Sequence, residues 1–136
     1  MRVYICSERW FMFPIFYENS RVPSWIGKVA PIKPYAVCFF IFVWSAGPID
    51  ERLRRHETIH WKQQLECLFI GQWVLYAFGW LVLFFRFKFD GRLAYYRLPF
   101  EMEAYDNDEN VGYLINRPKF AWVKYIKKSW SLPDEF

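Results

Sequence analysis

The chain has 136 residues, 24% of them aromatic, and a formal net charge of +4. This length is typical of one domain, so residues 1–136 are predicted to form a single unit. Acidic residues are also frequent, 14 against 18 basic ones. The charge therefore favours mild attraction to anionic surfaces and excludes a nucleic-acid-binding protein. The aromatic content predicts an apolar surface that contacts a membrane or a larger protein assembly.

Residues 1–34 are aromatic and interrupted by prolines, which indicates short strands and loops. Ser7, Glu8 and Arg9 stand where a secretory signal would have its apolar core, so no conventional signal peptide is predicted. The three cysteines are widely spaced and form no C-x-x-C pair. Zinc bound by cysteine is therefore not expected.

Residues Tyr35 to Trp44, YAVCFFIFVW, are β-branched or aromatic and contain no breaker. They predict one strand that is buried on both faces. Pro48 suits the first turn of a helix, and Asp50 and Glu51 are favourable at a helix N-terminus. A helix is therefore predicted from about Pro48 through the next motif.

Both histidines of the chain lie in RRHETIHWKQQLE, Arg54 to Glu66. His56 and His60 are four residues apart, so on a helix they lie on the same, apolar face and can hold one tetrahedral Zn²⁺. Glu57 would lie beside the metal, where it can take a proton from the water that the metal activates. H-E-x-x-H is a short pattern, and an amphipathic helix with two hydrogen-bonded histidines is the alternative.

Residues Cys67 to Phe85 carry no charge, which makes them a candidate membrane span. A helix that crossed a bilayer there would separate His60 from any ligand further along the chain, and the charged residues that follow cannot cross back through lipid. We therefore predict a hydrophobic helical hairpin, bent near Gly79, that is buried or dips into a membrane. A single-pass membrane protein without metal is the alternative.

The sequence LPFEMEAY predicts a helix that begins at Pro99. Glu101 and Glu103 are about 200° apart on it, so only one can face the motif helix. Glu101 shares its face with the small Ala104, which permits close approach, and with Tyr105, which would point into the cleft. The face of Glu103 continues into polar residues and is predicted to face solvent. Glu101 is therefore the expected third ligand, and Glu103 is the alternative or an acid that orients a histidine.

Residues 119–130, KFAWVKYIKKSW, predict a basic amphipathic C-terminal helix. Its apolar face would consist of Phe120, Val123, Ile126 and Trp130. Such a helix covers the core, or it docks on a membrane surface or a partner.

From about Tyr35 to Asn107, RHETIHWKQQLE followed by LPFEMEAY resembles the small, gluzincin-like H-E-x-x-H proteins of bacteria and their phages. More distantly it is similar to the gluzincin metallopeptidases, whose third ligand is the glutamate of an E-x-x-A-D-like helix. Aligning the alanine with Ala104 puts that ligand on Glu101, whereas Tyr105 stands where those enzymes have aspartate. The resemblance also implies that the strand before the motif helix lies beside the cleft and binds extended peptide by strand addition.

Together these features predict an α+β, helix-rich, zincin-like domain of minimal gluzincin type, with its core at residues 35–116. We expect a zinc metallopeptidase that hydrolyses peptide bonds in peptide or protein substrates, in the cytoplasm, at the periphery of a membrane or within a phage particle. The predicted site has three metal ligands, a general base and an oxyanion donor: His56, His60 and Glu101, Glu57, and Tyr105. The alternative is a non-catalytic, zinc-stabilised structural or interaction protein, such as a phage particle component.

Overall fold

The computed structural model describes residues 3–5, 14–29 and 34–133. The strands and the first helix are β1 (Val3–Ile5), β2 (Ile15–Tyr17), α1 (Val22–Val29), β3 (Ala36–Phe39) and β4 (Phe42–Ser45). The later helices are α2 (Glu51–Glu66), α3 (Ile70–Arg86), α4 (Gly91–Tyr96), α5 (Pro99–Asn107), α6 (Tyr113–Asn116), a 3-10 helix (Ala121–Tyr125) and α7 (Ile126–Trp130). The predicted α+β, helix-rich class is confirmed.

The chain divides into two compact units, Met1–Lys62 and Gln63–Phe136, and the division falls inside α2. In the first unit the strand order is β1-β2-β4-β3, with β2 and β4 parallel and the other two pairs antiparallel. Strands and loops were expected over residues 1–34; β1 and β2 agree with this, α1 does not, and residues 6–13 and 30–33 lie outside the described residues.

The prediction of one strand from Tyr35 to Trp44 is wrong. The chain forms the hairpin β3–β4 instead, with Phe39 opposite Phe42 and a two-residue turn in which Phe40 has a φ of 54°. The hairpin is not buried on both faces, because only alternate residues of β4, Val43 and Ser45, are fully enclosed.

The core of the first unit includes apolar side chains of the sheet and of α2. Phe16 and Val43 are neighbours in the register of β2 and β4, and both have no exposed surface. Ile59 on α2 is also fully enclosed. Burial of these apolar side chains stabilises the unit.

The start of α2 is set by two carboxylates. A carboxylate oxygen of Glu18 accepts a hydrogen bond from the backbone N–H of Ile49 at 2.8 Å. Asp50 Oδ1 accepts from the backbone N–H of Leu53 at 2.7 Å, which is an N-cap contact. Pro48 therefore lies before the helix instead of in its first turn, and its carbonyl accepts a hydrogen bond from Tyr35 at 2.9 Å.

In the second unit, α3 runs without a break through Gly79 to Arg86, so the predicted bend near Gly79 is wrong. Gly79 serves close packing instead, because a Cβ there would lie 3.2 Å from Leu98 Cδ2. The chain turns after α3, at residues 87–90, and α4 packs against α3. The apolar core shared by these helices consists of Leu83, Phe87, Ala94 and Leu98.

Among the described residues, no single helix is long and apolar enough to cross a membrane. By length and composition α2 and α3 pass that test together, but they are bent by 108° at the break between them. Leu68 and Phe69 in this break have φ values of 56° and 59°. The N–H of Phe69 donates to the carbonyl of Gln64 at 2.6 Å, which closes the end of α2.

The predicted C-terminal helix over 119–130 is a 3-10 helix followed by the short α7. Its buried residues are Ala121, Tyr125 and Ser129. The predicted apolar face is therefore not the face that covers the core, because the tighter 3-10 turn changes which residues point inward. The residues of that face are each about half exposed: Phe120, Val123, Ile126 and Trp130.

Arg117 holds the end of α2 to α5. Its guanidinium donates to both carboxylate oxygens of Glu66 and to both of Glu103, and its Nη2 contacts are 3.2 Å and 3.1 Å long. All three side chains are almost completely enclosed. Burial alone would lower the pKa of Arg117, but the hydrogen bonds and charges of the two carboxylates raise it above its ordinary value. The guanidinium therefore stays charged and balances both acids.

Replacement of this cation tests its role. We expect Arg117→Met to lower the free energy of unfolding by about 3–5 kcal/mol, because two buried carboxylates lose their counter-charge. The exposed Lys119 provides the matched control, and Lys119→Met should change the unfolding free energy by less than about 0.5 kcal/mol. Urea denaturation of both variants measures the difference, and equal effects would contradict the assignment.

Candidate metal centre

His56 and His60 form a close pair on the covered face of α2. Their exposed fractions are 5% and 8%. The two Nε2 atoms are 3.2 Å apart, and the ring planes are inclined by 78°. The prediction that both histidines lie on a buried face of one helix is therefore confirmed.

Glu57 lies beside this pair on the same helix and is also buried, with 5% of its surface exposed. Residues 56–60 are all enclosed, which follows from the packing of Ile59 in the core of the first unit. The Thr58 hydroxyl donates to the backbone carbonyl of Arg54 at 2.7 Å and so satisfies its own polar group within the helix. The H-E-x-x-H segment is thus a rigid, water-poor part of α2.

Glu101 lies in the first turn of α5, which begins at Pro99 as predicted. The glutamate is 3% exposed, and its Oε1 accepts a hydrogen bond from the Tyr76 hydroxyl at 2.8 Å. Burial, followed by the charge of Glu101, raises the pKa of Tyr76 well above its usual range. The Tyr76 hydroxyl therefore keeps its proton, and its hydrogen bond orients the Glu101 carboxylate. Little in the sequence indicated this contact, because Tyr76 stands within an apolar segment.

The prediction that Glu103 faces solvent is wrong, because this side chain has no exposed surface. Its Oε1 accepts from the Tyr113 hydroxyl at 2.8 Å, and its Oε2 accepts from Gln63 Nε2 at 2.9 Å. Arg117 contacts both oxygens. Burial and the hydrogen bond to Glu103 raise the pKa of Tyr113. The cation and the donors together compensate the burial of Glu103.

Gln63 is a further residue that sequence reasoning missed. Its Nε2 also donates to the backbone carbonyl of Phe100 at 3.0 Å, and its Oε1 accepts from Gln72 at 3.3 Å. Gln63 follows His60 by three residues, so it lies on the histidine face of α2. The three-residue spacing from His60 to Gln63 is visible in the sequence, and it could have indicated that Gln63 lies on the histidine face. Gln63, in the part of α2 that belongs to the second unit, thus contacts α5 directly.

Tyr105 is 41% exposed, and its ring centroid lies 5.5 Å from that of Tyr96. The Tyr76 hydroxyl contacts Glu101, and Tyr105 lies in the more exposed part of α5. A role for Tyr105 in stabilising an oxyanion stays a prediction.

The two helices supply imidazole nitrogens and a carboxylate oxygen, which are donor types that zinc takes in catalytic sites. Glu57 adds a second acid directly after the first histidine. Comparison of the chain with protein-family models, with curated proteins and with solved structures finds no match.

Proposed function

We propose that the chain is a zinc-dependent peptidase in which His56, His60 and Glu101 bind one Zn²⁺. The observation that carries this proposal is the 3.2 Å separation of the two histidine Nε2 atoms. Two nitrogens that each lie 2.0–2.1 Å from a tetrahedral zinc are about 3.3 Å apart. The histidines are therefore already spaced as two ligands of one ion.

Glu101 is the third ligand that the contacts favour. All three proposed ligands are buried and each offers one ligand atom. Both oxygens of Glu103 are bound by Arg117, whose positive charge would repel a metal ion.

A zinc ion bound there would supply a Lewis acid for the scissile carbonyl and would lower the pKa of the attacking water. Glu57 is the proposed general base: its carboxylate would accept a proton from that water and would later give it to the leaving amine. The position next to His56 suits this task, because successive helix residues are about 100° apart, so Glu57 neighbours the histidine pair without belonging to it. Tyr76 holds the Glu101 carboxylate in its orientation by donating to Oε1.

A peptide substrate fits the sheet of the first unit. In the described strand order β3 is at one edge of the sheet, which is the position where an added strand would pair. We propose that an extended peptide pairs with the edge strand β3. The resemblance pointed to the strand directly before α2, which is β4. A sheet, the H-E-x-x-H helix and then a glutamate-bearing helix follow one another in the order expected of a minimal zincin-like fold.

The metal ligands can be tested by elemental analysis. We expect one zinc per chain in the purified protein and a loss of at least about tenfold in His56→Ala and Glu101→Gln, because each change removes one ligand. Glu109 is exposed near the end of α5, and Glu109→Gln should keep its zinc. Full zinc occupancy in Glu101→Gln would contradict the third ligand.

The general base can be tested separately from the metal. Glu57→Gln should keep its zinc but cleave a quenched-fluorescent peptide library at least about 10²-fold more slowly, because a general base contributes factors of that size. The control is Glu51→Gln on the same helix, where the side chain is 83% exposed. If the zinc-loaded wild type cleaves no peptide, the non-catalytic structural role replaces the peptidase.

The role of Tyr76 can be tested through metal affinity. Tyr76→Phe removes only the hydroxyl that donates to Glu101, and we expect about 10–100-fold weaker zinc binding, as for other groups that orient a ligand. Competition with a chelating dye measures this affinity. Tyr96→Phe, at a half-exposed tyrosine, is the matched control and should bind zinc as the wild type does. Equal affinities in the two variants would contradict the orienting role.

A further inference from the structure

The arrangement of polar and apolar side chains around α3 is the reverse of that on a helix at the surface of a water-soluble protein. Three side chains along its length that carry polar groups, Gln72, Tyr76 and Trp80, point into the second unit, where each donates a hydrogen bond to another residue of that unit. A helix that faces water normally places its polar residues outward and its apolar residues inward. The outward face of α3 is therefore the unusual one.

This outward face is a stripe of hydrocarbon side chains. The α3 stripe, as we name it, follows helical spacing and runs about 22 Å along the axis. Its members are between 47% and 66% exposed. They are Ile70, Val74, Phe78, Leu81 and Phe85.

The chemistry of the stripe distinguishes between possible partners. A protein interface has about one hydrogen bond per 100–200 Å² of contact. The side chains of the α3 stripe offer no donor or acceptor, and its backbone groups are used within the helix. Lipid acyl chains need no hydrogen-bond donor or acceptor from the protein, so the α3 stripe is suited to contact with acyl chains.

The C-terminal end of the stripe carries cationic and aromatic groups. The guanidinium of Arg86 lies 5.2 Å from the ring centroid of Trp130, and both residues are exposed. Residues 119–130 contain four lysines and no acidic residue, and one of these lysines, Lys128, forms a long, exposed ion pair of 3.9 Å with Asp106. Lysines attract anionic headgroups, and tryptophan is enriched at the boundary between headgroups and acyl chains. The charges at this end are thus complementary to an anionic lipid surface.

We propose that the α3 stripe docks on the surface of a lipid bilayer that bears anionic headgroups. The helix lies in the plane of the interface with its hydrocarbon side chains among the acyl chains. Arg86, Lys127 and Lys128 lie in the headgroup layer, and Trp130 lies at its boundary. This docking does not depend on the proposed zinc site or on peptidase activity.

Vesicle flotation of the full chain tests the stripe. The wild type should float with vesicles of phosphatidylcholine and phosphatidylglycerol in equal amounts. The triple variant Val74→Ser, Phe78→Ser, Leu81→Ser should bind at least about tenfold more weakly, because three apolar side chains no longer enter the acyl region. The matched control is Val111→Ser with Ile115→Ser, at two exposed apolar residues outside α3. The control should float as the wild type does.

Charge is tested by the composition of the vesicles. Lys127→Gln with Lys128→Gln should weaken binding to the anionic vesicles by about fivefold per lysine, and binding to pure phosphatidylcholine should not change. The proposal is overturned if the triple variant floats as well as the wild type. It is also overturned if the wild type does not float and sedimentation velocity shows a dimer that the triple variant loses. Zinc content measured in the same samples keeps this outcome separate from the metal site.

Discussion

Two buried glutamates on α5 set the main constraint on the second unit. Removing a carboxylate from water is costly unless nearby groups compensate its charge or bind it. For Glu103 the compensation comes from Arg117, which also binds Glu66 at the end of α2. Glu66 in turn accepts a hydrogen bond from the backbone N–H of Phe120 at 2.9 Å. One guanidinium thus fixes the last turn of α2, the middle of α5 and the entry to the 3-10 helix.

The two glutamates therefore have different tasks, although they are only two residues apart. Glu103 is held by a cation and serves the fold. Glu101 accepts a hydrogen bond from Tyr76, which is neutral and so orients the carboxylate without cancelling its charge. A carboxylate in that condition is suited to bind a metal ion. Sequence spacing predicted that only one of the two acids would face α2, but Glu103 also contacts this helix, directly through Gln63 and through Arg117 to Glu66.

Helical periodicity was enough to predict the histidine pair on one buried face of α2, and Pro99 was enough to predict the start of α5. The errors lie at turns. Phe40, Leu68 and Phe69 all have positive φ, a conformation that costs a side chain about 1–2 kcal/mol and is usually left to glycine. No sequence rule marks a turn at such residues, so the β3–β4 hairpin was missed and the break after α2 was not seen. Gly79 suggested a bend in the helix, but the helix is continuous there and the glycine allows close packing against Leu98.

The apolar segment Cys67 to Phe85 predicted a membrane contact from its composition alone, without regard to which way each side chain points. Tyr76 lies on the inward face of α3, where it orients Glu101. Only the outward face of α3 is therefore open to lipid. A helix with this division of faces lies on a bilayer and does not pass through it. The two proposals together place Glu101 within about one helix diameter, 10–12 Å, of the lipid headgroups. A peptide bond cut at this site would therefore belong to a chain that is itself close to the membrane surface.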